Sequence, residues 1–164
     1  MAADWQTDTV IDALRTTIGT SVTVAGATVN IRRKPETDLY ALPTVNSANY
    51  PLIAIEDVGE EPADDEKWGT IKQQAVTVTV NLHFVCRDED VDGSSLTSPV
   101  EFCRQSVEAI CEKIGKAPEL GSTAICEGRW EGNGEDLETK DRIRSQGLCE
   151  RGAVWSFVYL HDRP

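Results

Sequence analysis

With 164 residues, 40% of them apolar, four tryptophans and 27% charged residues, the chain has the size and composition of one folded, water-compatible domain. No run approaches the ~20 apolar residues of a membrane helix. A formal net charge of −12 opposes attachment to a nucleic-acid phosphate backbone, which needs clustered Lys and Arg.

The opening residues, Met1-Ala2-Ala3-Asp4-Trp5, lack the basic and apolar regions of a signal peptide, so a reducing cytoplasm is the expected site of synthesis. Asp8 or Thr7 can cap a first helix over Thr9 to Ile18, where Val10, Ile11, Leu14 and Ile18 recur at helical spacing and Gly19 stops it. Val22-Thr23-Val24 and Thr28-Val29-Asn30-Ile31 flank Ala25-Gly26-Ala27 and read as a hairpin. Residues 34–49, with Pro35, Pro43 and three Asn or Ser positions, read as a long loop. A strand follows from Tyr50 to Ile55. Seven acidic residues then fall between Glu56 and Glu66, beside Gly59 and Pro62; a self-repelling run of this kind predicts an exposed loop over 56–67.

Trp68-Gly69 opens a long strand of strict alternation. Val76, Val78, Val80, Leu82, Phe84 and Cys86 point one way, and Thr77, Thr79, Asn81 and His83 the other, with Ala75 and Val85 as apolar exceptions. The period of two predicts one buried and one wetter face. Arg87 to Thr97 is a polar turn. Ser98-Pro99-Val100-Glu101 is a helix start, with Ser as N-cap, Pro at the first position and Glu at the third as a capping box. Cys103, Val107, Ile110, Cys111 and Ile114 form one stripe that should lie across the apolar sheet face. A short strand near Thr123 to Cys126, a Gly-rich charged loop over 128–147 and a last strand from Gly152 to Leu160 complete the order. The last strand is apolar on both faces: Ala153, Trp155, Phe157 and Tyr159 alternate with Val154, Ser156, Val158 and Leu160. The expected architecture is a single α+β domain over 1–164, an antiparallel or mixed β-sheet packed with two α-helices on one face.

Catalytic chemistry finds little support in the residues. Asp88-Glu89-Asp90-Val91-Asp92-Gly93 matches the first half of a calcium loop. The position that should supply a bidentate Glu is Pro99, however, and a solvated acidic turn is the better reading. His83 and His161 lack spaced partners for zinc, and no G-x-S-x-G nucleophile elbow occurs. Gly128, Gly132 and Gly134 surround Arg129-Trp130-Glu131 without a G-K-[ST], which suggests a mobile or partner-ordered loop rather than a phosphate loop. The five cysteines, Cys86, Cys103, Cys111, Cys126 and Cys149, form no CxxC pair and read as small buried hydrophobes.

Surfaces therefore carry the expected function. The candidate interface comprises Glu60, Glu61, Asp64, Asp65 and Glu66 of the acidic run, Arg142 and Arg144 of a local basic cluster, and Trp155 of the aromatic strand face. Val154, Val158 and Leu160 would supply the core face opposite, leaving the aromatics to meet the helices or a neighbouring subunit. Charge attraction between the basic cluster and the acidic run of another copy would favour a head-to-tail contact.

The order of a short N-terminal helix, a strand ending Ile31-Arg32-Arg33, the strand Tyr50-Pro51-Leu52-Ile53-Ala54-Ile55-Glu56 with its acidic run, Trp68-Gly69 before a long Val/Thr strand, a helix from Ser98 and a terminal strand resembles the tail-terminator (tail-completion) proteins of tailed bacteriophages, the group that includes the phage lambda tail terminator. The likeness spans roughly Thr7 to Leu160; the segment 128–147 has no counterpart in it. It implies a ring, commonly of six copies, at the head-proximal end of the tail tube. Such a ring stops tube polymerisation and meets the head-closure or connector proteins, and DNA passes through it without sequence-specific binding. It implies no enzyme activity, cofactor or membrane contact, and a place in the virion tail or neck after assembly in the host cytoplasm. Another neck or head-closure protein, or a calcium- or small-ligand-binding domain using the 88–93 loop, are the alternatives.

Overall fold

The computed structural model describes residues 5–33, 51–63, 73–122, 125–133 and 148–162. In chain order the elements are α1 (Trp5–Ile18), β1 (Ser21–Val24), β2 (Ala27–Arg33), β3 (Leu52–Pro62), β4 (Gln73–Arg87), α2 (Pro99–Lys116), β5 (Ile125–Asn133) and β6 (Leu148–Asp162). The strands form one six-stranded sheet in the order β1-β2-β3-β4-β6-β5. Every pairing is antiparallel except β2 with β3, which is parallel, so the sheet is mixed.

The hairpin forms as expected. Val24 pairs with Ala27, and the two-residue turn Ala25-Gly26 has φ of +49° and +89°, the doubly left-handed turn whose twist matches that of paired strands. Helix α1 begins one turn earlier than its pattern suggested. Asp8 therefore lies inside the first turn rather than ahead of it, and its carboxylate accepts from Arg33 at 2.5 Å. Its stop is as read: Gly19 has φ +85° and donates its N–H to the Arg15 carbonyl at 2.8 Å. Lys113 of α2 then donates to the Ile18 carbonyl at 3.1 Å, placing a cation at the negative end of the α1 dipole.

Helix α2 starts at Pro99, and the Ser98 hydroxyl accepts the Glu101 N–H at 3.3 Å. Only this half of the expected capping box is made. The Glu101 carboxylate instead takes Arg104 and Gln105, and these two hydrogen bonds, Arg104 first, hold its pKa down from 4.5 to about 2.

Both helices lie on one face of the sheet. Val10, Ile11, Leu14 and Ile18 of α1, together with Phe102, Cys103, Val107, Ile110 and Ile114 of α2, share one core with Val78, Val80, Leu82, Phe84 and Cys86 of β4. Phe84 and Phe102 meet edge to face, centroids 5.7 Å apart. Each buried Ile, Leu or Phe contributes about 1.5–3 kcal/mol by leaving water.

Three expectations need correction. Strand β3 does not end at Ile55 but continues through Pro62, each residue of the acidic run from Glu56 to Pro62 except Val58 taking a ladder partner on β4. Repulsion between carboxylates is tolerated there because, among the described residues, β3 has no second neighbour beyond Ile55, where the β2 ladder stops, and water reaches the strand. Likewise β5 runs on to Asn133, so Gly128 to Asn133 are strand rather than loop. Third, the wetter face of β4 is wet only in part: Thr77, Thr79 and Asn81 are half-buried where Val78, Val80 and Leu82 are buried, but His83 on that face is buried with its apolar neighbours Ala75 and Val85. The segments 34–49, 64–67 and 134–147 of the expected loops lie outside the described residues.

One glycine is fixed by contact. Gly128 sits opposite Phe157, and a Cβ there would stand 2.3 Å from the Pro118 carbonyl oxygen and 2.8 Å from the Phe157 ring. Gly128→Ala should therefore cost about 1–3 kcal/mol in urea unfolding, whereas Gly59→Ala, whose Cβ would meet nothing within 4 Å, serves as the control. The helix–sheet packing has its own test. Ile110→Asp would bury an unpaired charge at a cost of several kcal/mol against a total of about 5–15, so no cooperative melt is expected. A parent-like melting curve from that variant would refute the packing.

Candidate assembly surface

Among the described residues the sheet ends in β1 and β5, and β3 has no second neighbour past Ile55; two of these three stretches carry exposed groups suited to an interface. The first is the C-terminal half of β3. Here Asp57, Glu60 and Glu61 are exposed, and the bulge between Asp57 and Gly59 pushes Val58 outward to 56% exposure. Pro62 closes the strand without an N–H to offer. A bulge, a proline and a row of charges are the features by which natural proteins keep an edge from pairing indiscriminately. The carboxylates are held in place: Tyr159 donates its hydroxyl to Glu60 at 3.0 Å, Arg33 approaches Asp57 at 3.8 Å, and His83 Nε2 lies 2.6 Å from Glu56. His83, set on the wetter face by the alternation, is thus buried against a carboxylate, because the β-ladder pairs it with Ala54, two residues from Glu56 on the same face.

The second edge is β5. It is bulged twice, between Ile125 and Glu127 and between Trp130 and Gly132, and Gly132 at the second bulge has φ +126°. Trp130 stands between these irregularities with 55% of its surface exposed. Arg129 and Glu131 flank it 3.9 Å apart, and Ser156 of β6 donates to Glu131 at 2.5 Å. A large aromatic held on a fixed strand among charged neighbours is the kind of residue that anchors protein interfaces. Its residue type was legible in the sequence but its exposure was not, since Trp130 sat in what read as a glycine-rich loop.

Trp155 moves the other way. It is 5% exposed, stacks on Phe157 with ring centroids 6.3 Å apart, and donates its indole N–H to Cys111 Sγ on α2 at 3.4 Å. Burial pushes the Cys111 thiol pKa up. The aromatic face of β6 is therefore closed by the helices of its own chain. The aromatics thus meet the helices, one of the two outcomes expected of them, whereas Val154, Val158 and Leu160, expected to supply the core face opposite, are only half-buried, because the large rings fill the deep space beneath α2. Asp64, Asp65, Glu66, Arg142 and Arg144 lie outside the described residues, as does the side chain of His161.

The acidic turn after β4 is a short 3₁₀ segment, Asp88–Gly93. Its Asp90 carboxylate accepts from the Arg87 guanidinium at 2.6 and 3.1 Å and from the Arg87 N–H at 2.7 Å, and Glu89 also reaches Arg87 at 3.0 Å. These carboxylates close the strand end on an arginine. Among the described residues, no three His, Cys, Asp or Glu are grouped so as to hold a metal ion, and no helix is long and apolar enough to cross a membrane.

Against solved structures, the chain is similar to the sheath/tube terminator of an extracellular contractile injection system (PVC), seen by cryo-EM in its extended state, with a TM-score of 0.55 and 11% identity over 94% of this chain. The fold is tail-terminator-like. The match covers 56% of that terminator, so this chain spans about half its length, and at 11% identity the likeness concerns the fold. That terminator comes from a contractile injection system rather than the lambda-type group that the sequence resembles. Its name describes an assembly role. No protein-family profile and no curated protein matches the chain.

The two exchanged tryptophans give a direct test of the site. Trp155→Ala should lose about 3–5 kcal/mol in denaturant unfolding, whereas Trp130→Ala should stay within about 0.5 kcal/mol of the parent. Equal losses would mean that Trp130 is a core residue and not a surface anchor.

Proposed function

We propose that this chain is a tail terminator: a structural protein that forms a ring, commonly of six copies, on the head-proximal end of a tail tube, stops its polymerisation and joins it to head-closure or connector proteins. The observation that carries this reading is the match of 94% of the chain to the fold of a sheath/tube terminator. The family resemblance of the sequence points to the same role in a phage virion, with assembly in the host cytoplasm. The reading requires no cofactor and no catalysis.

The surfaces fit such a role. Glu60 and Glu61 on the open edge of β3, continued by Asp64, Asp65 and Glu66, supply an acidic element. Arg142 and Arg144 of an adjacent copy are its counterpart in a head-to-tail contact, which closes into a ring when the rotation per subunit allows. The aromatic contact passes from Trp155, buried in the core, to the exposed Trp130. A net charge of −12 suits a channel through which DNA moves without adhering, because like charges repel.

Tube growth provides the test. Purified tube protein polymerised with this chain present should give short tubes carrying a terminal ring in negative stain; tubes of unchanged length with bare ends would overturn the reading. Replacing Asp64, Asp65 and Glu66 together by Ser should leave the melting curve intact and reduce the fraction of capped ends. Reversing the charge of Arg142 and Arg144 should lower ring formation most at low salt, where attraction is least screened. Full capping by both variants at all salt concentrations would remove these residues from the interface.

A further inference from the structure

Cys86, near the end of β4, and Cys103, in the second turn of α2, place their sulfur atoms 3.6 Å apart in the core. Neither sulfur is in a disulfide in the structure, and both are closed off from solvent. The distance is one of van der Waals contact, against ~2.05 Å for a bonded pair of sulfurs. The two cysteines stand on the two elements whose packing defines the core, and the assembly reading above makes no use of them. Cys111 faces Trp155, and Cys126 lies on the far edge strand β5.

We propose that Cys86 and Cys103 are a latent disulfide, reduced at synthesis and bridged when the folded chain meets an oxidising medium, stapling α2 to β4. The oxidant is a low-molecular-weight disulfide. One protein thiolate attacks it, forming a mixed disulfide and releasing one small thiol. The second protein thiolate then attacks the protein sulfur of that mixed disulfide and releases the second small thiol. The two thiol hydrogens leave as protons, and the two electrons reduce the small disulfide to two thiols. Because both sulfurs are buried, exchange waits on local opening in which the first turns of α2 lift from the sheet, and it is slow compared with exchange at an exposed thiol. Bridging two residues 17 apart in the chain closes a short loop and restricts the unfolded state. The proposal is independent of the functional reading above.

The full chain, incubated with oxidised glutathione and in parallel with a reductant, provides the test, with a further arm in urea below the unfolding transition to promote opening. The expected product has lost two hydrogens, leaves three of its five cysteines open to alkylation after denaturation, and melts at a higher temperature than the reduced form. Digestion without reduction should join the peptides carrying Cys86 and Cys103. Cys149 is the competitor to watch, because the β4–β6 register sets it opposite Cys86. A Cys86–Cys149 peptide, glutathione adducts alone, or five alkylated cysteines in every arm would overturn the proposal. Cys103→Ala should abolish the loss of two hydrogens while Cys126→Ala retains it. Should Cys103→Ala not fold, the peptide map of the parent chain decides.

Discussion

The apolar stripe of α2 pressed against the β4–β6 pair is the contact from which the rest of the structure follows. Phe102 against Phe84, Cys111 beneath the Trp155 indole, and Ile110 and Ile114 in the same core fix the helix on one face of the two longest strands. Once α2 is fixed, α1 has a groove to complete, and Lys113 from α2 caps its last turn. The chain leaving α2 must then cross above β5, which is why Gly128 can carry no side chain beneath the Pro118 carbonyl. Burial of this kind is non-directional, but interior packing is tight enough that one helix position dictates the next.

That one-sided arrangement also decides where the molecule can meet others. A sheet with helices on one face keeps its edges, and the stretch of β3 without a second neighbour among the described residues and the β5 edge are managed differently. The β3 edge is charged, bulged and closed by proline, so it resists nonspecific strand addition while offering carboxylates. The β5 edge is bulged and bears Trp130, a rigid aromatic between Arg129 and Glu131. Such features give a partner a defined geometry to read, and they accord with a fold shared with a sheath/tube terminator. The cluster of Arg87, Glu89 and Asp90 shows the opposite outcome, acidic residues consumed within the chain to hold a strand end.

Much of the architecture was legible in the residues because periodicity reports burial directly. The alternation from Val76 to Cys86, the stripe from Cys103 to Ile114, the Ser98-Pro99 start and the Ala25-Gly26 turn each have a local physical cause, and each element formed where that cause lay. Local charge misled where tertiary pairing outweighed it. Seven carboxylates read as a loop, yet backbone hydrogen bonds to β4 hold the first part of the run extended. Glycines read as a flexible segment, yet Gly128 and Gly132 serve close packing and a bulge in β5.

The sequence by itself determined the element order, the α+β class, the apolar faces of β4 and α2, and the absence of a recognisable catalytic motif, since each is set by neighbours a few residues away. Only the tertiary structure decided which face of β6 lies under the helices, that Trp155 is core while Trp130 is surface, that His83 is buried against Glu56, and that Cys86 touches Cys103. These four depend on strand register and on the seating of α2, and register couples residues far apart in the chain. A period of two marks two faces of a strand but does not say which will be covered. That choice belongs to the volume beneath the helices, which only the folded chain defines.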